Sequence, residues 1–168
     1  MNRAVTAENA ARALCGEALS FTGRLYAARD AALKRLLGPD GGSAAFIEGA
    51  FIYFAGPAGA PPGFPVGAAG PTTSGRMERY LERLLALGAA GFVGKGGFGR
   101  GVAELLARYG GCYLCAVGGA GALYAKRVRK AEVVAYPELG CEAIRALDVE
   151  NMPLICGIDA SGKSIFDR

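Results

Sequence analysis

Apolar residues follow two alternating patterns along this chain: short continuous runs, and longer stretches in which they return every third or fourth position. After a short helical lead at 7–14, residues 17–26 read as a strand pair or one bent strand around Gly23. A helix is expected over 29–37, stopped by Gly38-Pro39. Residues 50–54 form an aromatic, fully apolar run and read as a buried strand. The segment 56–71, rich in proline and glycine, is a loop of unusual length for a compact domain, which marks it as functional or mobile. The helical pattern is clearest over 76–87. Met77, Tyr80, Leu81, Leu84 and Leu85 share one face there, with Glu78, Arg79, Glu82 and Arg83 on the other.

Further along, 90–93 and 112–117 read as strands, 94–101 as a glycine-rich loop and 102–109 as a helix. A small-residue helix opening at 118–122 is expected to end in the basic cluster Lys126-Arg127-Val128-Arg129-Lys130. Residues 132–136 and 153–158 read as strands, 142–147 as a helical turn, and 160–163 as a turn from which Ser164-Ile165-Phe166 pairs back. Strands alternating with helices predict a layered α/β domain with a mixed sheet and flanking helices. No repeat or linker divides it, so 1–168 is read as one domain.

Composition narrows the function classes. No stretch reaches the ~18 apolar residues of a membrane span without a charge or glycine, so no membrane role is expected. The first residues lack an apolar signal core, and a cytoplasmic location follows as the expectation. The net charge of +4 is modest and dispersed apart from the cluster at 126–130, which argues against nucleic acid and suits an enzyme for an anionic substrate. Five cysteines, Cys15, Cys112, Cys115, Cys141 and Cys156, are expected as reduced thiols. There is no histidine, which removes the usual general base and the usual zinc ligand from this chain.

Three motif matches do not carry their usual chemistry. Gly157-Ile158-Asp159-Ala160-Ser161-Gly162-Lys163-Ser164 fits the phosphate-loop pattern, but only four residues follow it here, too few for the helix that pattern needs, so a polar hairpin turn is expected. Gly94-Lys95-Gly96-Gly97-Phe98-Gly99 fits the dinucleotide fingerprint, yet the next strand ends Cys115-Ala116-Val117-Gly118 without the acid that holds a ribose. Cys112-Tyr113-Leu114-Cys115 has metal spacing, but positions i and i+3 of a strand face opposite ways.

A different constellation does carry chemistry. Gly70-Pro71-Thr72-Thr73-Ser74-Gly75-Arg76-Met77 places hydroxyls, glycines and an arginine at the mouth of the helix over 76–87, with Ser74 or Thr73 placed to cap it. Arg29 and Lys95 occupy comparable loop-to-helix junctions, each beside glycine or alanine. Guanidinium forks and an ammonium at such junctions suit a small dianion. The plainer reading is three solvated surface cations, with Arg29 paired to Asp30 or Glu48.

On these residues the chain resembles the β subunit, or C-terminal domain, of the iron–sulfur class I fumarases and L-tartrate dehydratases. The resemblance runs from Leu14-Cys15-Gly16-Glu17 through Gly56-Pro57, the 70–77 segment, Gly94-Lys95-Gly96, Gly118-Gly119-Ala120 and Glu142-Ala143-Ile144 to Gly157-Ile158-Asp159 and Ile165-Phe166. It implies a swivelling β/β/α fold and reversible trans hydration of a C4 dicarboxylate, fumarate to L-malate first and tartrate dehydration next. It also implies a 4Fe-4S cluster on a partner α subunit, whose open iron is a Lewis acid. Arg29, Arg76 and Lys95 would bind carboxylates; Thr72 would be the base, with Thr73 as its alternative. The implied partners are the α subunit, in a heterotetramer, and the small dicarboxylate, with β–β self-association open. One departure stands out: the family's Thr-Ala-Arg-Asp-Ala-Ala-His is here Ala27-Ala28-Arg29-Asp30-Ala31-Ala32-Leu33. Two other classes compete: a nucleotide-binding module using 94–101, and a non-catalytic subunit that stabilises a partner.

Overall fold

The computed structural model describes residues 2–39, 41–99 and 101–167. Four strands run parallel in the order of the chain: β2 (Ala18–Ala27), β3 (Phe51–Tyr53), β4 (Gly91–Gly94) and β5 (Cys112–Cys115). Between them lie α1 (Asp30–Leu36), α2 (Glu78–Ala86) and α3 (Val102–Tyr109). Parallel neighbours require such crossovers, and the helices supply them. A short β1 (Arg3–Val5) joins the first half of β2, and α4 (Gly121–Ala125) follows β5. β6 (Val128–Ala135) and β7 (Ile144–Ile158) complete a mixed seven-stranded sheet. The architecture is α/β.

β7 determines the shape. One of its edges pairs antiparallel with β2 from Ala18↔Ile155 to Ala27↔Arg145. Its other edge pairs with β5 near Ile155–Ile158 and with β6 near Ile144–Val149. The pairings β2–β3–β4–β5–β7–β2 therefore close on themselves. Strand alternation then sorts side chains to two cores. Phe51 and Tyr53 of β3 join Leu25, Val93, Leu114, Leu147 and Cys156 in the core that the strands enclose. Ile52, Phe54 and Phe92 face the other way, against Leu33, Leu36, Leu81, Leu84 and Leu106 of the helices. All three crossover helices thus share one layer.

Several expected elements change. The lead at 7–14 contains only a 3-10 turn at Ala10–Arg12, and β1 precedes it. Residues 17–26 form the bent-strand alternative: the β2–β7 register shifts between Phe21 and Gly23, where Gly23 has φ 145°. The helix over 76–87 starts as a 3-10 turn, Ser74–Met77, before α2. Residues 142–147 are not a helical turn. Glu142 ends a 3-10 segment, Pro137–Glu142, and from Ile144 on the chain is strand β7, because Arg145, Ala146 and Leu147 find partners on both edges. α4 ends at the basic cluster, with Lys126 as its C-cap, and the cluster's last three residues open strand β6, where Arg129 pairs with Glu150 and Lys130 with Glu132.

The residues at 157–164 form a hairpin turn. Asp159 Oδ1 accepts from Ser161 N, Ser161 Oγ and Lys163 N, and Ile158 bridges Ser164. Burial works against the Asp159 charge, but these hydrogen bonds and one from Cys15 N outweigh it, and the carboxyl stays below its ordinary pKa.

Phe92 is fully buried and stacks on Phe54 at 5.6 Å, so Phe92→Ala should cost about 3–5 kcal/mol. Exposed Phe64→Ala should cost less than about 0.5 kcal/mol. Urea unfolding of both variants checks the contrast.

Candidate functional site

The parallel strands all end at one rim of the sheet, and each candidate residue sits just beyond a strand end. Arg29 follows β2, the 70–77 segment reaches back to the end of β3, and Lys95 follows β4. The crevice outside the carboxyl ends of parallel strands is where open α/β sheets bind ligands.

Backbone hydrogen bonds hold the hydroxyl segment against β3 and β4. Thr72 N donates to Phe54 O at 2.7 Å, Lys95 N to Thr72 O at 3.2 Å, and Ser74 N to Lys95 O at 2.9 Å. Thr73 and Lys95 form a parallel bridge. The segment is therefore a short continuation of the sheet, wedged between two strand ends. It leads into the 3-10 turn that carries Arg76, and Arg76 Nη2 folds back to donate to Thr72 Oγ1 at 2.6 Å. Thr72 is half-buried and Thr73 exposed.

Neither Thr73 nor Ser74 caps a helix through its side chain. Ser74 is buried, and its Oγ donates instead to the Tyr113 hydroxyl at 2.8 Å. The Tyr113 hydroxyl donates onward to Gly96 O at 2.7 Å. Nothing in the spacing of residues signals this contact, because Ser74 reads equally well as a cap.

Arg29 precedes α1 and pairs with neither Asp30 nor Glu48. Its Nη2 lies 3.5 Å from Glu142 Oε1, while Glu142 Oε2 accepts from Ala31 N at 3.1 Å. Glu142 thus fixes both the arginine and the first turn of α1. This support does not need the family's threonine and histidine: Ala27 and Leu33 are simply buried in the two cores. Arg29 Nε is buried without a hydrogen-bond acceptor among the described residues. Small neighbours make room for the cations. A Cβ on Gly56 would lie 3.0 Å from Arg29 Nη1, and one on Gly118 would lie 2.8 Å from Lys95 Cδ.

Asp30 joins the two arginine regions, with its carboxylate 3.6 Å from Arg76 Nη2 and 3.8 Å from Arg79 Nη2. Thr72, Arg76 and Lys95 are therefore brought together directly, and Arg29 reaches them through its neighbour Asp30. A cavity of about 740 Å³ lies on the helix side of Arg76, lined also by Asp30, Glu78, Arg79 and Glu82. Three carboxylates against two guanidiniums make that cavity a poor home for a dianion. The sheet rim, with Lys95 and the Thr72 hydroxyl, is the better one.

The glycine-rich 94–99 loop serves this rim. Its Gly96 carbonyl binds Tyr113, its Phe98 packs edge-on against the Tyr113 ring at 4.7 Å, and Gly99 N donates to Glu78. Cys112 and Cys115 point to opposite sides of β5, into the enclosed core and toward the helix layer. Among the described residues no three histidine, cysteine or acidic side chains come together to hold a metal. The described residues therefore bring together no ligand set that fits an iron–sulfur cluster.

The chain belongs to the Fumarase C-terminus family, whose model matches residues 1–168. It is 38% identical over 155 residues to the anaerobic class I fumarate hydratase of Escherichia coli, a match covering 89% of this chain and 28% of that protein. It is 33% identical over 155 residues to the mitochondrial fumarate hydratase 1 of Leishmania major, with 89% and 28% covered. A Methanocaldococcus jannaschii protein that bears the name of an L(+)-tartrate dehydratase subunit beta is 33% identical over 162 residues, covering 91% of this chain and 83% of that one. The chain thus spans a little over a quarter of the fumarate hydratases it matches, and most of the subunit-length relative.

Burial pushes the Cys115 thiol up to about 11 and the Cys156 thiol up to about 12, from an ordinary 9.0, and raises the Cys112 thiol and Tyr113 phenol further. Above pH 9 the unfolded chain releases protons that the folded chain keeps, so stability falls as pH rises from there toward the folded values. Urea midpoints should drop between about pH 8 and pH 10.5. An unchanged midpoint would contradict the assignment of these thiols to the interior.

Proposed function

We propose that this chain is the β-type portion of a hydro-lyase that reversibly hydrates a C4 dicarboxylate, fumarate to L-malate first and tartrate dehydration second. It works with an α subunit, as a heterotetramer in the cytoplasm. The observation that carries the reading is the Thr72–Arg76–Lys95 cluster at the strand ends of a chain from this family. Residues 1–168 act as one domain of the swivelling β/β/α kind, carrying its rim of cations to the α subunit's face. The 4Fe-4S cluster belongs to the α subunit, and every step assigned to this chain passes through its own residues.

Dehydration of malate removes a proton from one carbon and the hydroxyl from the next. Arg29, Arg76 and Lys95 bind the carboxylates, and the unpaired Arg29 Nε supports this role, since a buried donor calls for an acceptor. Thr72 takes the carbon-bound proton. An ordinary threonine is a poor base, and the 2.6 Å hydrogen bond from the Arg76 guanidinium favours its ionised form. Thr73 has no such contact and points to solvent, which supports Thr72 over its neighbour. Membership of this family, and the place of the 94–99 loop at the same rim, speak against the nucleotide-binding reading.

Assembled anaerobically with its α subunit, the chain should turn over fumarate, malate or tartrate, and neither polypeptide should do so alone. Thr72→Ala should lower kcat by about 10²–10⁴-fold, the usual range for a general base, while Thr73→Ala changes it by less than about threefold. Full activity of the β chain alone, or wild-type turnover by Thr72→Ala, would sink the reading.

A further inference from the structure

Tyr113 stands behind the rim, on β5, and touches none of the groups assigned to substrate. Its ring is fully buried, wedged edge-on against Phe98, and its hydroxyl is the meeting point of two loops. Ser74 Oγ lies 2.8 Å away, in the segment that carries Thr72 and Arg76. Gly96 O lies 2.7 Å away, in the turn immediately after Lys95. A carbonyl can only accept, so the phenol donates to Gly96 and accepts from Ser74, and all three groups are satisfied. The two loops also meet through Ser74 N to Lys95 O and Lys95 N to Thr72 O. These main-chain bonds lie at the end of the sheet.

We propose that Tyr113 is a positioning residue that sets the distance between the Thr72 hydroxyl and the Lys95 ammonium by fastening Ser74 and Gly96 to one buried hydroxyl. The inference rests on the functional reading above for its catalytic consequence, and on geometry alone for the fastening. Gly96 adopts φ 76°, so the lysine loop turns sharply at the residue whose carbonyl is held. A turn held at its apex and at its neighbouring strand bonds has little freedom to move Lys95. The phenol remains protonated at any working pH, since burial keeps it well above its ordinary value. It acts as a fixed clasp and exchanges no proton with substrate.

Tyr113→Phe removes the clasp and keeps the ring. In the assembled α/β enzyme we expect kcat to fall about 10- to 100-fold, the scale of a misplaced catalytic group, with KM changed less than kcat. Ser74→Ala should give a smaller loss of the same kind. The double variant should lose less than the product of the two single losses, because both act through one hydrogen-bonded unit. In the full chain without substrate, amide hydrogen exchange at Ser74 and Lys95 should quicken by about tenfold in Tyr113→Phe, with exchange in the enclosed core unchanged.

The two readouts separate the failures. If the wild-type assembly shows no hydro-lyase turnover, the functional reading falls and the exchange result still decides the clasp. If Tyr113→Phe does not fold, Ser74→Ala carries the same test. Unchanged exchange at Ser74 and Lys95, or strictly multiplicative kinetic losses, would overturn the proposal. A lower melting temperature with wild-type kcat would assign Tyr113 to packing alone.

Discussion

The pairing of β7 with β2 is the constraint on which this fold rests. A fifteen-residue strand bonded along one edge to β2, and along the other to β5 and β6, turns a parallel sheet into a closed circuit. Closure forces alternate residues of every central strand inward, which is why Phe51, Val93 and Leu114 meet in one core while Ile52 and Phe92 meet the helices in another. It also bends β2, since two long antiparallel strands cannot stay flat while one of them serves three neighbours. The bend falls between Phe21, paired with Met152, and Gly23, paired with Val149; across from it Asn151 adopts φ 53° and donates its backbone N–H to Thr22 Oγ1.

From that closure the site follows. Four parallel strand ends converge on one rim. The 70–77 segment returns to this rim after the long 56–71 loop, which is itself tied down: Tyr53 donates to Ala69 O, and Ala55 bridges Pro71. The loop is long because the chain must travel out and back before Thr72 can bond Phe54 from the correct side. Its length serves placement, and its internal bonds, such as Ala58 N to Ala68 O, give it a fixed path.

Elements whose own residues settle their structure were legible in the sequence. The helix at Val102–Tyr109 matches its expected span, since a glycine precedes it, another follows it, and its apolar spacing admits one face. The strand at Phe51–Tyr53 was legible because only a two-sided burial suits so apolar a run. The second half of β7 was legible as the strand at 153–158; its first half was not, because residues 142–147 carry an acid, small residues and two branched chains in an order that suits a helical turn just as well. Only the two neighbouring strands make it extended. The same reason hid Ser74, Asp30 and Glu142, whose partners lie 39, 46 and 111 residues away in sequence. The cations Arg29, Arg76 and Lys95 could be grouped by their similar junctions in the sequence, but the place of Asp30 beside Arg76 belongs to tertiary structure.

Asp30 also bears on whether Arg76 is free to act. A guanidinium already paired with a carboxylate would be a poor receptor for another. The separation of 3.6 Å from Asp30 is too long for a strong charge-assisted hydrogen bond, and Arg76 is half exposed, so the pair is worth at most about 1 kcal/mol. Arg79, at 3.8 Å, competes for the same carboxylate. The strong, short contact of Arg76 is the one to Thr72. Asp30 therefore steadies the arginine without neutralising it, and the guanidinium keeps donors to spare beside the Thr72 hydroxyl, as the proposed role in carboxylate binding requires.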